Sequence, residues 1–289
     1  MQPIVDTQLL IERRLRALAR GVSGADFLMR RAADELADRL SAVERRFSDA
    51  AALFSHGPLA RGAMLASGRV ASAVSVEADA AFLEGADGLV AAPGVVPFAP
   101  GSLDLAISLL SLQDENDIPG MLIQIRRALR PDGLFLGAMA GAGTLDELRE
   151  CLLATETEMY GGVSPRVLPF TDVRDAGALL QRAGFALPVA DVETITVRYD
   201  TVFGLIADIR STGSGNALLD RSRKPLGRRF LGRLAEIYAE RFADPDGRVR
   251  ATFSLIWMSG WAPDESQQKP LRPGSATASL ADALRDAAD

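Results

Sequence analysis

Apolar and polar positions along the chain alternate between two periods, and the switches between them mark out the elements. From residue 25 to 47, Phe27, Leu28, Ala32, Leu36, Leu40, Val43 and Phe47 fall at helical spacing with Arg and Asp between them, which predicts one amphipathic helix packed on the body of the protein. Ala50 to Phe82 then reads as strand, loop, short helix and strand; AVSV forms the second strand and Glu77 stands at its end. Leu89 to Val96 is a third short strand or turn, and Leu103 to Leu112 is an apolar run of strand length. Gln113 to Asp117 is a polar loop, after which Pro119 opens a helix with Met121, Leu122, Ile125 and Leu129 on one face. RPDG stops that helix: Pro131 cannot continue it, and Gly133 is expected to take the left-handed or turn conformation before the strand LFLGAM.

The second half repeats the alternation with longer connections. A helix is expected from Thr144 to Thr157, with Leu145, Leu148, Leu152 and Leu153 on one side, followed by the Gly/Pro-punctuated loop GGVSPRVLPF, a candidate lid or substrate wall. Asp172 to Ala183 is helical and ends at Gly184, and VETITVRY alternates like a strand. Thr201 to Ser211 and Arg229 to Phe242 are helical, and ATFSLIWMSGW makes a last strong strand. Seven strand candidates, helices between the first five and an antiparallel final pair predict one α/β domain, a Rossmann-like sheet whose helical insertions cover its ligand edge. The chain divides into an N-terminal helical segment (1–48), a domain over 49–262 with insertions at about 144–184 and 202–246, and a polar tail (263–289).

Composition narrows the function classes. The 289 residues are 48% hydrophobic and 24% charged, enough for a full core. A net charge of −6 argues against nucleic acid and against an anionic membrane as the main partner. No apolar run reaches the length of a membrane span, and the N-terminus lacks the pattern of a secretory signal, so stable membrane insertion is not expected and a cytoplasmic location is. With one cysteine, Cys151, and one histidine, His56, the chain has no means for an intrachain disulfide, a Cys-based metal site or a His-rich one, and no metal is expected. Cys151 reads as a small buried hydrophobe.

In such a sheet ligands bind at the carboxyl ends of the strands. A nucleotide-type cofactor there needs a turn after the first strand that lets the backbone come close, and an acid at the end of the second strand for the ribose hydroxyls. Glu77 fits the second task. The first falls to Phe54, Ser55, His56 and Gly57, where Phe54 is expected to push its ring into the ligand's space, so that Phe54→Gly would open the turn. Ala92 stands where an acid commonly meets an adenine edge, and Gln113 completes the cofactor-binding set. Asp114, Glu115 and Asn116 are candidate substrate-facing groups for an amine or guanidinium, and Tyr160, Gly161 and Gly162 are a candidate closing segment. No catalytic residue is assignable.

The segment from Ser102 to Gly141 resembles the second half of a class I methyltransferase domain. Beyond it, LSLQDENDIPG, LRPDGLFLGAM, GTLDELR, ETEMYGGVSPRVLPF, LLQRAGF, ATFSLIWMSGW and RPGSATASL make the chain, from about Phe27 to Leu280, similar to the methyltransferase-like assembly factors of respiratory complex I, alphaproteobacterial type. The resemblance implies a seven-stranded class I methyltransferase fold, S-adenosylmethionine as cofactor, a complex I subunit as partner, and an activity of the family given as arginine hydroxylation. It places the second-strand acid on Glu77, the loop after the fourth strand on Gln113 to Asp117, and a covering loop on Gly161 to Phe170. Two other readings stand beside it: a cofactor-free binding protein or chaperone of the same fold, and a small-molecule methyltransferase of ubiquinone or biotin biosynthesis.

Overall fold

A computed structural model describes residues 2–268, so RPGSATASL and most of the expected polar tail lie outside the described residues. Two helices, α1 (Thr7–Arg20) and α2 (Phe27–Ser41), precede the first strand. The strands are β1 (Phe47–Leu53), β2 (Val70–Glu77), β3 (Gly88–Val90), β4 (Leu103–Leu109), β5 (Leu129–Ala140), β6 (Ala186–Tyr199) and β7 (Val249–Trp261), joined in the order β3-β2-β1-β4-β5-β7-β6. The first five run parallel, and β7 is antiparallel to both its neighbours.

Side chains alternate across the sheet, so each strand feeds two cores. Along β5, Phe135 and Met139 face α4 (Ile118–Ala128) and α6 (Val173–Arg182), meeting Met121, Leu122, Ile125 and Leu180. Leu134, Leu136 and Ala138 face the other way, toward α2 and α3 (Leu59–Ala66), and share that core with Leu36, Leu40, Met64 and Trp257. A third core joins α5 (Asp146–Tyr160), α7 (Val202–Ser211) and α8 (Arg228–Phe242) to Val249, Ala251 and Phe253 of β7, forming a helical layer beyond the carboxyl edge.

Three local expectations are corrected. The helix expected to reach Phe47 stops at Ser41, because the Phe47 N–H bonds Arg69 O at 2.8 Å and opens β1 against β2; sheet pairing outweighs a helical pattern that runs on by one more turn. In RPDG it is Asp132, not Gly133, that takes the left-handed conformation (φ 60°). Gly133 is needed for close approach, since a Cβ there would lie 2.9 Å from Arg130 O and 3.2 Å from Asp104 O. In α5, Leu153 is exposed and Cys151 occupies the buried face; Leu145 precedes the helix in a left-handed conformation.

Candidate functional site

The carboxyl ends of β1, β4 and β5 open onto a cleft of about 580 Å³. After Leu53 the chain turns through two left-handed residues, Phe54 (φ 50°) and His56 (φ 55°), and then Gly57 (φ 143°), before Pro58 and α3. The expected obstruction by Phe54 is corrected here. With its N–H held by Val76 O at 2.7 Å, Phe54 is 3% exposed and its ring packs in the core with Val76, Leu112 and Met121, off the cleft wall. The turn thus achieves with a left-handed phenylalanine what a glycine does more cheaply.

Ser55, His56 and Gly57 do line the cleft. Ser55 Oγ accepts the Leu109 N–H at 3.2 Å and ties the end of β1 to the end of β4. Glu77, at the end of β2, is 1% exposed and stands behind this turn, off the cleft wall. Its Oε1 accepts the Gly57 N–H at 3.3 Å; its Oε2 has no partner among the described residues and lies 3.9 Å from His56 Nδ1. Both ring nitrogens of His56 are unpartnered as well, and the ring meets Phe82 edge-on at 5.7 Å. Burial pushes Glu77 up to about 8 against the pull of the Gly57 and His56 backbone N–H groups, and burial, with the nearby Arg14, holds His56 well below its ordinary value. At neutral pH the two are therefore an uncharged acid and an uncharged imidazole, polar groups buried with hydrogen-bonding capacity to spare.

The loop after β4 divides its candidates. Gln113 and Asp114 lie on the cleft wall. Gln113 donates to Leu110 O at 2.6 Å and accepts the Ala140 N–H at 3.2 Å, bracing the ends of β4 and β5. Asp114 pairs with Arg14 at 2.5 Å, both side chains nearly buried. Glu115 turns toward Gly94, where burial and then Asp114 raise it. Asn116 is not substrate-facing: its amide accepts from the Ile4 and Val5 N–H groups and donates to Val5 O and Thr7 Oγ1, stapling the N-terminal segment to the loop.

Two further expectations are not met. Ala92 is exposed in the turn after β3 and lies off the cleft wall. Tyr160 is 60% exposed and stacks on Phe230 at 5.7 Å, while Gly161 caps α5 and Gly162 follows it; none of the three reaches the cleft. The same loop delivers Leu168 and Phe170 instead. The sequence reading also missed the roof. Arg14, Ala17 and Leu18 of α1, with Phe27 and Leu28 at the start of α2, close over the strand ends. The signal was present in Leu10, Arg14 and Ala17, the buried stripe of α1, but four arginines in that segment directed attention to charge.

Among the described residues no helix is long and apolar enough to cross a membrane, and no three His, Cys, Asp or Glu side chains group to hold a metal. The strand order, the reversed β7 and the cleft over the parallel ends define a class I methyltransferase fold. Residues 60–137 match the family described as "Methyltransferase domain", and the fold is shared with a methyltransferase structure from Bacillus halodurans C-125 (TM-score 0.55, 16% identity, 80% of this chain and 99% of that one). Within that class the chain resembles arginine-hydroxylase NDUFAF5, mitochondrial, of Danio rerio, with 41% identity over 187 residues covering 65% of this chain and 58% of the relative. It is also similar to malonyl-[acyl-carrier protein] O-methyltransferase of Laribacter hongkongensis, with 36% identity over 179 residues, 62% of this chain and 58% of that one. The matched region thus spans little more than half of either relative's length.

Proposed function

We infer that the chain binds S-adenosylmethionine in the cleft over β1, β4 and β5 and modifies, or helps to assemble, a subunit of respiratory complex I. The observation that carries the cofactor half is the left-handed turn that puts Ser55, His56 and Gly57 on the cleft wall at the carboxyl end of β1, the edge at which such a sheet holds its ligand, with the buried Glu77 bracing that turn from behind through the Gly57 N–H. The partner half rests on the likeness to the arginine-hydroxylase of Danio rerio, which is stronger in identity than the likeness to the malonyl-carrier methyltransferase.

Ser55 to Gly57 would hold the cofactor, with Glu77 fixing their turn from behind and Gln113 the wall beside it. The cofactor, when bound, supplies a sulfonium-linked methyl group. The chain's own contribution is positioning and exclusion of water: α1 and Phe27 above, Leu168 and Phe170 at the side, and the Arg14–Asp114 pair closing the wall between α1 and the loop after β4. The heavy hydrogen-bonding commitment of Gln113, Asp114 and Asn116 favours a second reading, in which the loop is scaffold and the protein binds an unassembled subunit without modifying it.

Incubation of the purified chain with S-adenosylmethionine and an unmodified complex I subunit, followed by peptide mass spectrometry, separates these. A methyl increment on an arginine supports modification. A stable complex with no increment supports the chaperone reading, and neither product contradicts both.

A further inference from the structure

A second cavity, of about 570 Å³, lies on the other side of α1. Helical spacing puts Arg13, Arg16 and Arg20 on this face, while Arg14, Ala17 and Leu18 face the first cleft, so that α1 is the wall between the two. Arg210 at the end of α7 and Arg221 and Arg223 in the following loop add three more cations, and Arg166 reaches in from the loop after α5. No Asp or Glu lines this cavity among the described residues. Among the described residues, carboxylates outside the lining meet three of the seven arginines: Glu12 at 4.0 Å from Arg16, Glu156 at 2.5 Å from Arg166 and Asp6 at 3.2 Å from Arg221.

The floor is of opposite character. Leu148 and Leu152 of α5, Ile206 and Ile209 of α7, and Leu231 of α8 present an apolar surface beneath the arginines, backed by the buried Leu234. Gathering seven guanidinium groups around one opening is unfavourable without an anion: Arg13 is lowered from its ordinary value by burial and then by Arg221 and Arg16. A chain of net charge −6 that concentrates cations on one cavity, over an apolar floor, has built a recognition surface for a matching ligand.

We propose that this cavity is a second binding site, separate from the methyltransferase cleft, for an amphipathic anion: a phosphate-type head group held by the arginine rim and an attached apolar chain lying along α5, α7 and α8. Planar guanidinium groups suit a phosphate through paired hydrogen bonds, and the cavity is of a size that holds a small ligand.

The probe is decyl phosphate, titrated calorimetrically into the full chain below its micelle concentration, with inorganic phosphate and decanol as the two half-ligands. Decyl phosphate binds at least about tenfold more tightly than either half, and the Arg20→Ser/Arg210→Ser double variant loses about tenfold or more of that affinity, as expected when two charge-assisted contacts go. Both positions are exposed and lie off the first cleft, so unchanged far-ultraviolet circular dichroism certifies the fold, and Arg223→Ser serves as an independent variant. Vesicles of anionic phospholipid distinguish the source. Cosedimentation lost in the variants assigns the head group to a bilayer lipid, and retained decyl phosphate affinity without cosedimentation assigns it to a soluble amphipath. Decyl phosphate affinity equal to that of decanol, or unchanged in both variants, overturns the proposal.

Discussion

Glu77 and Phe54 carry most of what is decided at the scale of single residues. Glu77 titrates near 8 in the fold and near the ordinary carboxyl value when unfolded, so the native state holds a proton that the unfolded state releases over that interval. Its contribution is fully present below about pH 4.5 and is lost as the pH rises toward 8. Glu77→Gln, which is neutral throughout, is therefore expected to melt well above the wild type at pH 8.5 and close to it at pH 5; parallel melting curves at the two pH values would contradict the assignment. Phe54→Gly was attractive from sequence as a way to clear the cleft. The ring is instead in the core, so the substitution gives up ~3–5 kcal/mol of packing against ~1–2 kcal/mol of relieved left-handed backbone, a net loss of about 1–4 kcal/mol in a denaturant titration with no tightening of cofactor affinity. That an acid ends the second strand at Glu77 is legible in the sequence; that it lies buried behind the turn, off the cleft wall, is not. Nor is the outcome at Phe54, because side-chain direction at a turn depends on a sign of φ that residue type alone does not reveal.

Among the elements, α1 is where sequence and structure part most. Strands β4, β5 and β7 are readable from long apolar runs, the mark of strands covered on both faces, and β1 and β2 from shorter ones, AAAL and AVSV. Within the expected N-terminal helical segment (1–48) the apolar pattern marks no helix before residue 25, because the buried face of α1 is narrow and includes Arg14, whose burial makes sense only with Asp114 a hundred residues away. Asn116 fixes this helix to the strand-four loop through four hydrogen bonds to residues 4–7. Asn116→Ala should cost ~1–3 kcal/mol and raise amide hydrogen exchange across residues 4–18 while leaving β4 and β5 protected. Unchanged exchange in α1 would mean that the Arg14–Asp114 pair holds the roof alone. The loop 161–170 is marked in the sequence by its glycines and prolines, but its reach into the cleft runs through Leu168 and Phe170, and its glycines serve the end of α5.

For the whole molecule, the alternating pattern was sufficient to predict the seven-stranded sheet and its reversed last strand, because parallel crossovers and a final hairpin-like pair allow few other arrangements. Net charge was a poorer guide. A value of −6 describes the sum and conceals seven arginines gathered around one cavity, which only folding brings together. The two cavities on either side of α1 give the molecule a division of labour, an uncharged cofactor turn on one face and a cationic rim on the other. The claim on which the rest depends is that the first of these binds S-adenosylmethionine. Calorimetric titration of the full chain with S-adenosylhomocysteine, beside Glu77→Ala, which leaves the Gly57 N–H of the binding turn without its buried partner, tests it most directly: micromolar binding that weakens by about tenfold or more in the variant is the predicted result, and the absence of heat up to millimolar ligand, or equal affinity in the two proteins, would contradict it.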